Sequence, residues 1–247
     1  MEDFLLFVVI GFAAQVIDGA VGMAYGVTAT SVLLSAGVPP TLASSTVHAA
    51  EVFTTGASGF AHWRKGNVNK ALFWKLVLPG AAGGAVGAYV LTEVDTGYIT
   101  PIVAAYLFLI GAIILVKAVW KRPRGHSEDL PHTRKVGFAG AFIDAIGGGG
   151  WGPLVTSSLI GRGMQSRFAI GTSNAAEFFI TSVITITFLG TIGLELWPMI
   201  IALILGGLIA APFGAHLAYR LPDRALMILV GVVVMILSIR NMITSLT

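Results

Sequence analysis

DAIGGGGWGP, residues 144–153, places an aspartate, five glycines and a proline inside an otherwise apolar segment, with FAGAFI before it and LVTSSLI after it. In a soluble α/β domain, a glycine run like this reads as a phosphate-cradling turn ahead of a helix. The surrounding chain excludes that reading. Of 247 residues, 55% are hydrophobic and 11% charged, where a soluble domain carries about 25% charged residues. The mean hydropathy is +0.86. Apolar runs of membrane-spanning length, about 17–25 residues, recur at 71–91, 98–119, 198–219 and 225–239. Less uniform runs occupy 42–63 and 168–189, and Gly-interrupted ones occupy 4–36 and 136–160. The fold class is therefore an all-α polytopic membrane protein, with the lipid bilayer as an obligatory partner.

The start, MEDFLLFVV, lacks the basic n-region and small-residue cleavage site of a signal peptide, so the first apolar run is expected to remain in the mature protein. There is no cysteine, which excludes disulfides, thiolate metal sites and cysteine nucleophiles. The sequence has no P-loop, no HExxH spacing and no Ser–His–Asp set. No metal, cofactor, enzymatic activity or nucleic-acid partner is expected.

The chain repeats itself. Residues 11–56 lie on 137–182 at a shift of 126 without a gap, and 18 of the 46 pairs are identical. Among these are Asp18/Asp144, Gly22/Gly148, Gly26/Gly152, Thr46/Thr172 and Glu51/Glu177. LPGAAGGAVGA (78–88) resembles LGGLIAAPFGA (205–215) at a shift of 127. The two repeats are expected at 1–120 and 136–247. They are joined by a polar linker, 121–135, which falls on the cytoplasmic side. Duplication of this kind points to a transporter with its site at the interface of the repeats.

Each half begins with a broken segment. The first, 4–36, is too long for one straight crossing: it would reach about 50 Å at 1.5 Å per residue, against a hydrocarbon core of about 30 Å. The break DGAVGMAYG divides it into two halves of about 14 residues each at helical spacing. The second copy is shorter and by length alone also fits one tilted crossing. Charge arbitrates, because Lys and Arg in short loops favour the cytoplasm. Four full crossings per half put 11 basic residues inside and 4 outside, whereas a re-entrant hairpin plus three crossings per half puts 14 inside and 1 outside. Inverted repeats with both termini outside are therefore expected, with six crossings and two broken hairpins.

Irregular backbone at membrane depth is tolerated where it lines a cavity or is buried in protein. After each break a new half-helix starts, and its unpaired N–H groups and positive dipole end suit an anion. The candidate substrate-binding residues are Gly148, Gly149, Gly150 and Trp151, with Gly22 and Tyr25 in the first copy. Thr46 and His48, with Thr172, Ser173 and Asn174, supply further donors one helix on. Copy one carries Met23 and Ala24 where copy two has Gly149 and Gly150. Side chains are therefore expected to be tolerated at 149 and 150, and less so at 148. Gly80, Gly83, Gly84 and Gly87 read as helix-packing positions.

Intramembrane carboxylates are functional candidates by default, and Asp18, Glu51, Asp144 and Glu177 form two symmetric pairs. They are the candidate proton-coupling residues. Alternatively, the two Asp cap the new half-helices and the two Glu make helix-to-helix hydrogen bonds. Four ionised carboxylates would repel a doubly charged anion, so either some carry protons or they face away from it. His48 could carry a proton, donate to substrate, or be a satisfied buried histidine. Trp63, Trp74, Trp120 and Trp197 fall near span ends as an interfacial belt. Lys75 and Lys117 read as snorkelling stems.

The block IGGGGWGPLVTSSL…FAIGTSNAAEFF, with VPPTLASST in the first copy, resembles the TauE/SafE family of sulfite and organosulfonate transporters. The likeness covers nearly the whole chain, although the first copy's glycine run is degraded to DGAVGMAYG. What the resemblance implies is movement of small sulfur-containing or other small organic anions across the bacterial inner membrane. The runner-up class, from the four carboxylates, is a cation or cation/proton exchanger. The oligomeric state is open, a homodimer included.

Overall fold

A computed structural model of the chain describes residues 2–21, 23–119, 132–193, 196–218 and 223–246. Gly22 and most of the expected linker lie outside the described residues. The described elements are helical throughout: α1 (Glu2–Val21), α2 (Tyr25–Ser35), α3 (Pro40–Arg64), α4 (Lys70–Glu93), α5 (Thr96–Val119), α6 (Thr133–Gly147), α7 (Ser157–Gly161), α8 (Ser166–Thr191), α9 (Trp197–Ala218) and α10 (Asp223–Leu246). A π-helical turn, Gly152–Thr156, leads into α7.

Both Gly-rich segments are broken. The first divides into 20 and 11 residues rather than equal halves, because its first helix runs on to Val21 before turning. The second could have passed as one crossing, but it stops at Gly147 and restarts at Trp151. Gly148 ends α6 with φ of 66°, a left-handed conformation that glycine adopts without a Cβ penalty. Among the described residues, four helices combine the length and hydropathy of a crossing: Lys70–Glu93, Gly97–Val119, Ser166–Thr191 and Met227–Thr244. Phe4–Asp18 and Trp197–Ala210 are shorter apolar helices. α3 is 25 residues long but carries Ser44, Ser45, Thr46, His48 and Glu51 inward, all buried, and this polar run lowers its hydropathy.

The duplication recurs in the packing. α1 packs along α9 as α6 packs along α4, and α3 meets α9 as α8 meets α4. α3 lies on α8 and α5 on α10, each pairing an element with its own counterpart. Individual contacts repeat as well. A Cβ on Gly11 would sit 2.5 Å from Leu203 O, and one on Gly137 3.2 Å from Leu76 O. Gly80 abuts Ile180 and Trp151, and Gly207 abuts the equivalent Thr54 and Tyr25. α2 and α7 end alike, at Gly37 (φ 86°) and Gly163 (φ 94°). There the Val38 and Met164 N–H groups donate back to Leu33 O and Leu159 O at 3.0 and 3.2 Å, the Schellman pattern. The α4 glycines are packing positions: a Cβ on Gly83 or Gly87 would meet Phe138 O or Phe142 O within 2.4 Å. Trp63, Trp74 and Trp197 are about half exposed, consistent with a belt at the interface, and Trp120 lies outside the described residues.

Candidate functional site

The two breaks cross each other. A Cβ on Gly149 would sit 2.3 Å from the Gly26 carbonyl carbon and the Val27 nitrogen, and one on Gly152 would sit 2.5 Å from Met23 Cα. Gly26 and Gly152 are equivalent, as are Met23 and Gly149, so each break runs over the start of the other half's short helix. The expectation that position 149 tolerates a side chain is therefore incorrect. Met23 faces Gly152, whereas Gly149, with φ of 154°, lies backbone to backbone on Gly26. At position 150 a Cβ would fall 1.9 Å from Tyr106 Oη, so a side chain there has to displace that phenol from its hydrogen bond to Gly149 O.

Each aspartate stands one turn before its break and reaches across it. Asp18 Oδ1 accepts from the Ala24 N–H at 2.8 Å and the Tyr25 N–H at 3.2 Å. Asp144 Oδ1 accepts from the Trp151 N–H at 2.9 Å. This is the capping arrangement, a carboxylate seated on the positive end of a half-helix. Other groups of the glycine run are also engaged. The Gly149 N–H donates to Asp144 O at 3.2 Å, Tyr106 donates to Gly149 O at 2.8 Å, and Thr30 donates to Gly148 O.

Asp144 differs from its counterpart in having a basic neighbour. Its Oδ2 lies 3.2 Å from His48 Nε2, and both side chains are buried. His48 Nδ1 lies 2.8 Å from Ser44 O. A carbonyl only accepts, so Nδ1 carries a hydrogen. The Nε2···Oδ2 hydrogen bond therefore needs a further proton, held either by the imidazole or by the carboxyl group. Ser44 fixes the ring by donating to Ala145 O at 2.6 Å. In the second half the equivalent of His48 is Asn174, which donates to Ser58 Oγ at 2.8 Å instead of reaching Asp18. The halves share a backbone plan but not a proton inventory.

All four carboxylates line one small cavity of about 20 Å³, together with Tyr25, Gly26, Gly150 and Pro153. That is room for a water molecule and too little for a sulfonate. Asp144 and Glu51 are buried, whereas Asp18 and Glu177 are half-buried. Glu51 Oε2 has no hydrogen-bond partner, and Glu51 Oε1 lies 2.8 Å from where a Gly26 Cβ would be. The helix-to-helix hydrogen bond expected for Glu51 is therefore not made at Oε2.

Other sequence-nominated donors lie off the cavity wall. Thr172 Oγ1 accepts from the Asn69 N–H at 2.9 Å, and Ser173 Oγ pairs with Thr156 Oγ1 at 2.6 Å. Thr46 is buried in α3. Trp151 is fully buried and donates through Nε1 to Ser173 O at 3.3 Å. Tyr25 does line the cavity and donates to Leu203 O at 3.3 Å.

Sequence reasoning missed Tyr106 and Thr30, which clamp the glycine run, and misread Lys117. Lys117 does not snorkel away; it donates to Pro153 O at 3.0 Å and to Ser157 Oγ, serving a carbonyl in the π turn. Thr30 and Thr156 are identical between the halves, the one signal that could have found Thr30. Tyr106 sits in an apolar run with no such mark.

The sequence profile of the Sulfite exporter TauE/SafE family matches residues 7–241. A curated relative, described as "Probable membrane transporter protein YtnM" of Bacillus subtilis (strain 168), is 38% identical over 251 aligned residues, covering 98% of this chain and 84% of the relative. No solved structure matches the chain.

Proposed function

Because the chain belongs to the Sulfite exporter TauE/SafE family, and so is a membrane-embedded secondary transporter of small anions rather than an enzyme, we propose that it carries a sulfur oxyanion such as sulfite, or an organosulfonate, across the bacterial inner membrane in company with a proton. The observation that carries this reading is the double engagement of Asp144. One oxygen sits on the half-helix N–H of Trp151 and the other on His48.

A carboxylate at a half-helix N-terminus occupies the place an oxyanion would take. When the shared proton sits on Asp144 Oδ2, the carboxyl group is neutral and holds the amide less strongly. The N–H of Trp151 is then open to a substrate oxygen. When that proton leaves the pair on the far side of the membrane, the carboxylate reclaims the amide and the anion leaves with it. Proton and anion thus occupy the site together. Asp18 offers the same exchange at Ala24 and Tyr25 without a histidine, and Glu51 and Glu177 complete the titratable wall. The cavity has to widen to admit the anion, and the crossings at Gly26/Gly149 and Met23/Gly152 are the contacts that part. Inverted repeats with a re-entrant start, supported by the basic-residue distribution, would let each half open the cavity to one side.

The convergence of four carboxylates favours a second reading, a cation or cation/proton exchanger. Against a metal ion, no three His, Asp or Glu side chains are disposed to hold one among the described residues. Uptake into proteoliposomes separates the readings. Accumulation of radiolabelled sulfite or a short sulfonate, driven by an inward proton gradient, supports the anion. Flux of Na⁺, K⁺ or a divalent ion with no response to any oxyanion overturns it.

A further inference from the structure

We propose that the apolar groove between α3 and α8, remote in role from the carboxylate cavity, binds one acyl chain of an anionic phospholipid whose phosphate is met by Arg64, Lys65 and Lys70. The groove encloses about 550 Å³. Its floor is made of small residues, Gly56, Ala57 and Gly59 on α3 with Ala175 on α8, and aromatic rings wall it. Phe53, Phe60 and Trp63 are about half exposed or more, and Phe73 packs edge-on against Phe179 at 5.6 Å.

Dimensions and charge identify the occupant. From Val52 to Trp63 the helix rises roughly 16 Å at 1.5 Å per residue, about half of the ~30 Å hydrocarbon core. The groove is one leaflet long. At its outer end α3 finishes in Arg64 and Lys65, and Lys70 Nζ stands 5.9 Å from the centre of the Trp63 ring. These three cations are exposed, at the depth where a headgroup phosphate lies and anionic lipid attracts basic side chains. The equivalent positions of the second half do not repeat it. Gly56, Ala57 and Gly59 correspond to Ser182, Val183 and Thr185, and Arg64 and Lys65 to Gly190 and Thr191. A feature confined to one copy is not a by-product of the repeat. Its inner end adjoins Val52 and Phe178, the chain neighbours of Glu51 and Glu177, so a chain seated there sets the spacing of the two helices that carry the glutamates.

The test uses the full-length protein in phosphatidylcholine vesicles, with brominated acyl chains introduced on either phosphatidylglycerol or phosphatidylcholine. The Trp63 signal is the fluorescence difference between wild type and Trp63→Phe. Brominated phosphatidylglycerol is expected to quench it at a several-fold lower mole fraction than brominated phosphatidylcholine. Arg64→Gln, Lys65→Gln and Lys70→Gln should each reduce that preference by up to roughly fivefold. Ala57→Leu, which fills the floor, should abolish it; if that variant does not fold, the three surface variants still decide. Equal quenching by both lipids, or a preference untouched by the charge variants, would mean bulk lipid only and overturns the site. Absence of quenching by either lipid would mean that protein, such as a second copy of the chain, covers the face, and overturns it as well.

Discussion

His48 Nε2 stands 3.2 Å from Asp144 Oδ2, joining a helix of the first half to the break of the second. Its Nδ1 is committed to Ser44 O, so the hydrogen bond between Nε2 and Asp144 needs a proton of its own. The equivalent contact, Asn174 with Asp18, is not made. The histidine contact is therefore made on one half of the site and not on the other.

Asp144→Asn imitates the protonated state. Its amide oxygen can still accept from Trp151 N–H, and its NH₂ can donate to His48 Nε2 in the neutral tautomer. The variant is expected to fold normally and to keep binding sulfite. His48→Ala, in contrast, leaves Asp144 Oδ2 buried without a partner, at a cost of about 1–3 kcal/mol or more. Titration of both variants by isothermal calorimetry, beside their melting temperatures, checks the pair.

Gly149→Ala and Gly26→Ala should damage the fold rather than only the affinity. Each puts a methyl group against the backbone of the other break, at 2.3 and 2.8 Å, and overpacking of a close-packed core costs about 1–3 kcal/mol, occasionally more. Gly37→Ala, whose Cβ meets nothing within 4 Å, is the control for strain alone at Gly149, because its φ is also positive. A larger loss of thermal stability is expected for positions 26 and 149 than for 37.

The broken helices, the duplication and the cavity-lining carboxylates were legible because each leaves a periodic mark. Glycine interrupts an apolar run, and identical residues recur at a constant shift. The site's closure was not legible. Whether Gly149 faces a side chain or a backbone depends on how two distant breaks cross, and the alignment with Met23 pointed the wrong way because Met23 faces a glycine. Tyr106 was invisible for a related reason: one phenol in an apolar helix looks like any interfacial aromatic until its partner carbonyl is known. The asymmetry of His48 and Asn174 could be read in the sequence, but their different partners could not.

Glu51→Gln removes no hydrogen bond at Oε2, which has none. Its melting temperature should therefore stay within a few degrees of wild type. Transport should fall at least tenfold, because a fixed neutral amide replaces a titratable group on the cavity wall. Glu177→Gln, half-buried at the same cavity, should fall less. Initial rates of sulfite uptake corrected for reconstituted protein decide the order.

Topology is testable without background, because the chain has no cysteine. Single cysteines at Asp95 and Gly193 should react with an impermeant maleimide from outside. Those at Arg64 and Arg162 should react only after the membrane is opened. Reaction of the Arg162 position from outside would contradict the inverted arrangement.

The most direct test of coupled transport at this site is proton movement driven by the anion. Proteoliposomes containing a pH dye, with voltage clamped by K⁺ and valinomycin, receive sulfite or a short sulfonate outside. Wild-type protein should acidify the lumen as the labelled anion enters, and Asp144→Asn should let the anion in with no acidification. Anion entry without proton movement in the wild type, or acidification undiminished in Asp144→Asn, would contradict a proton carried at His48 and Asp144.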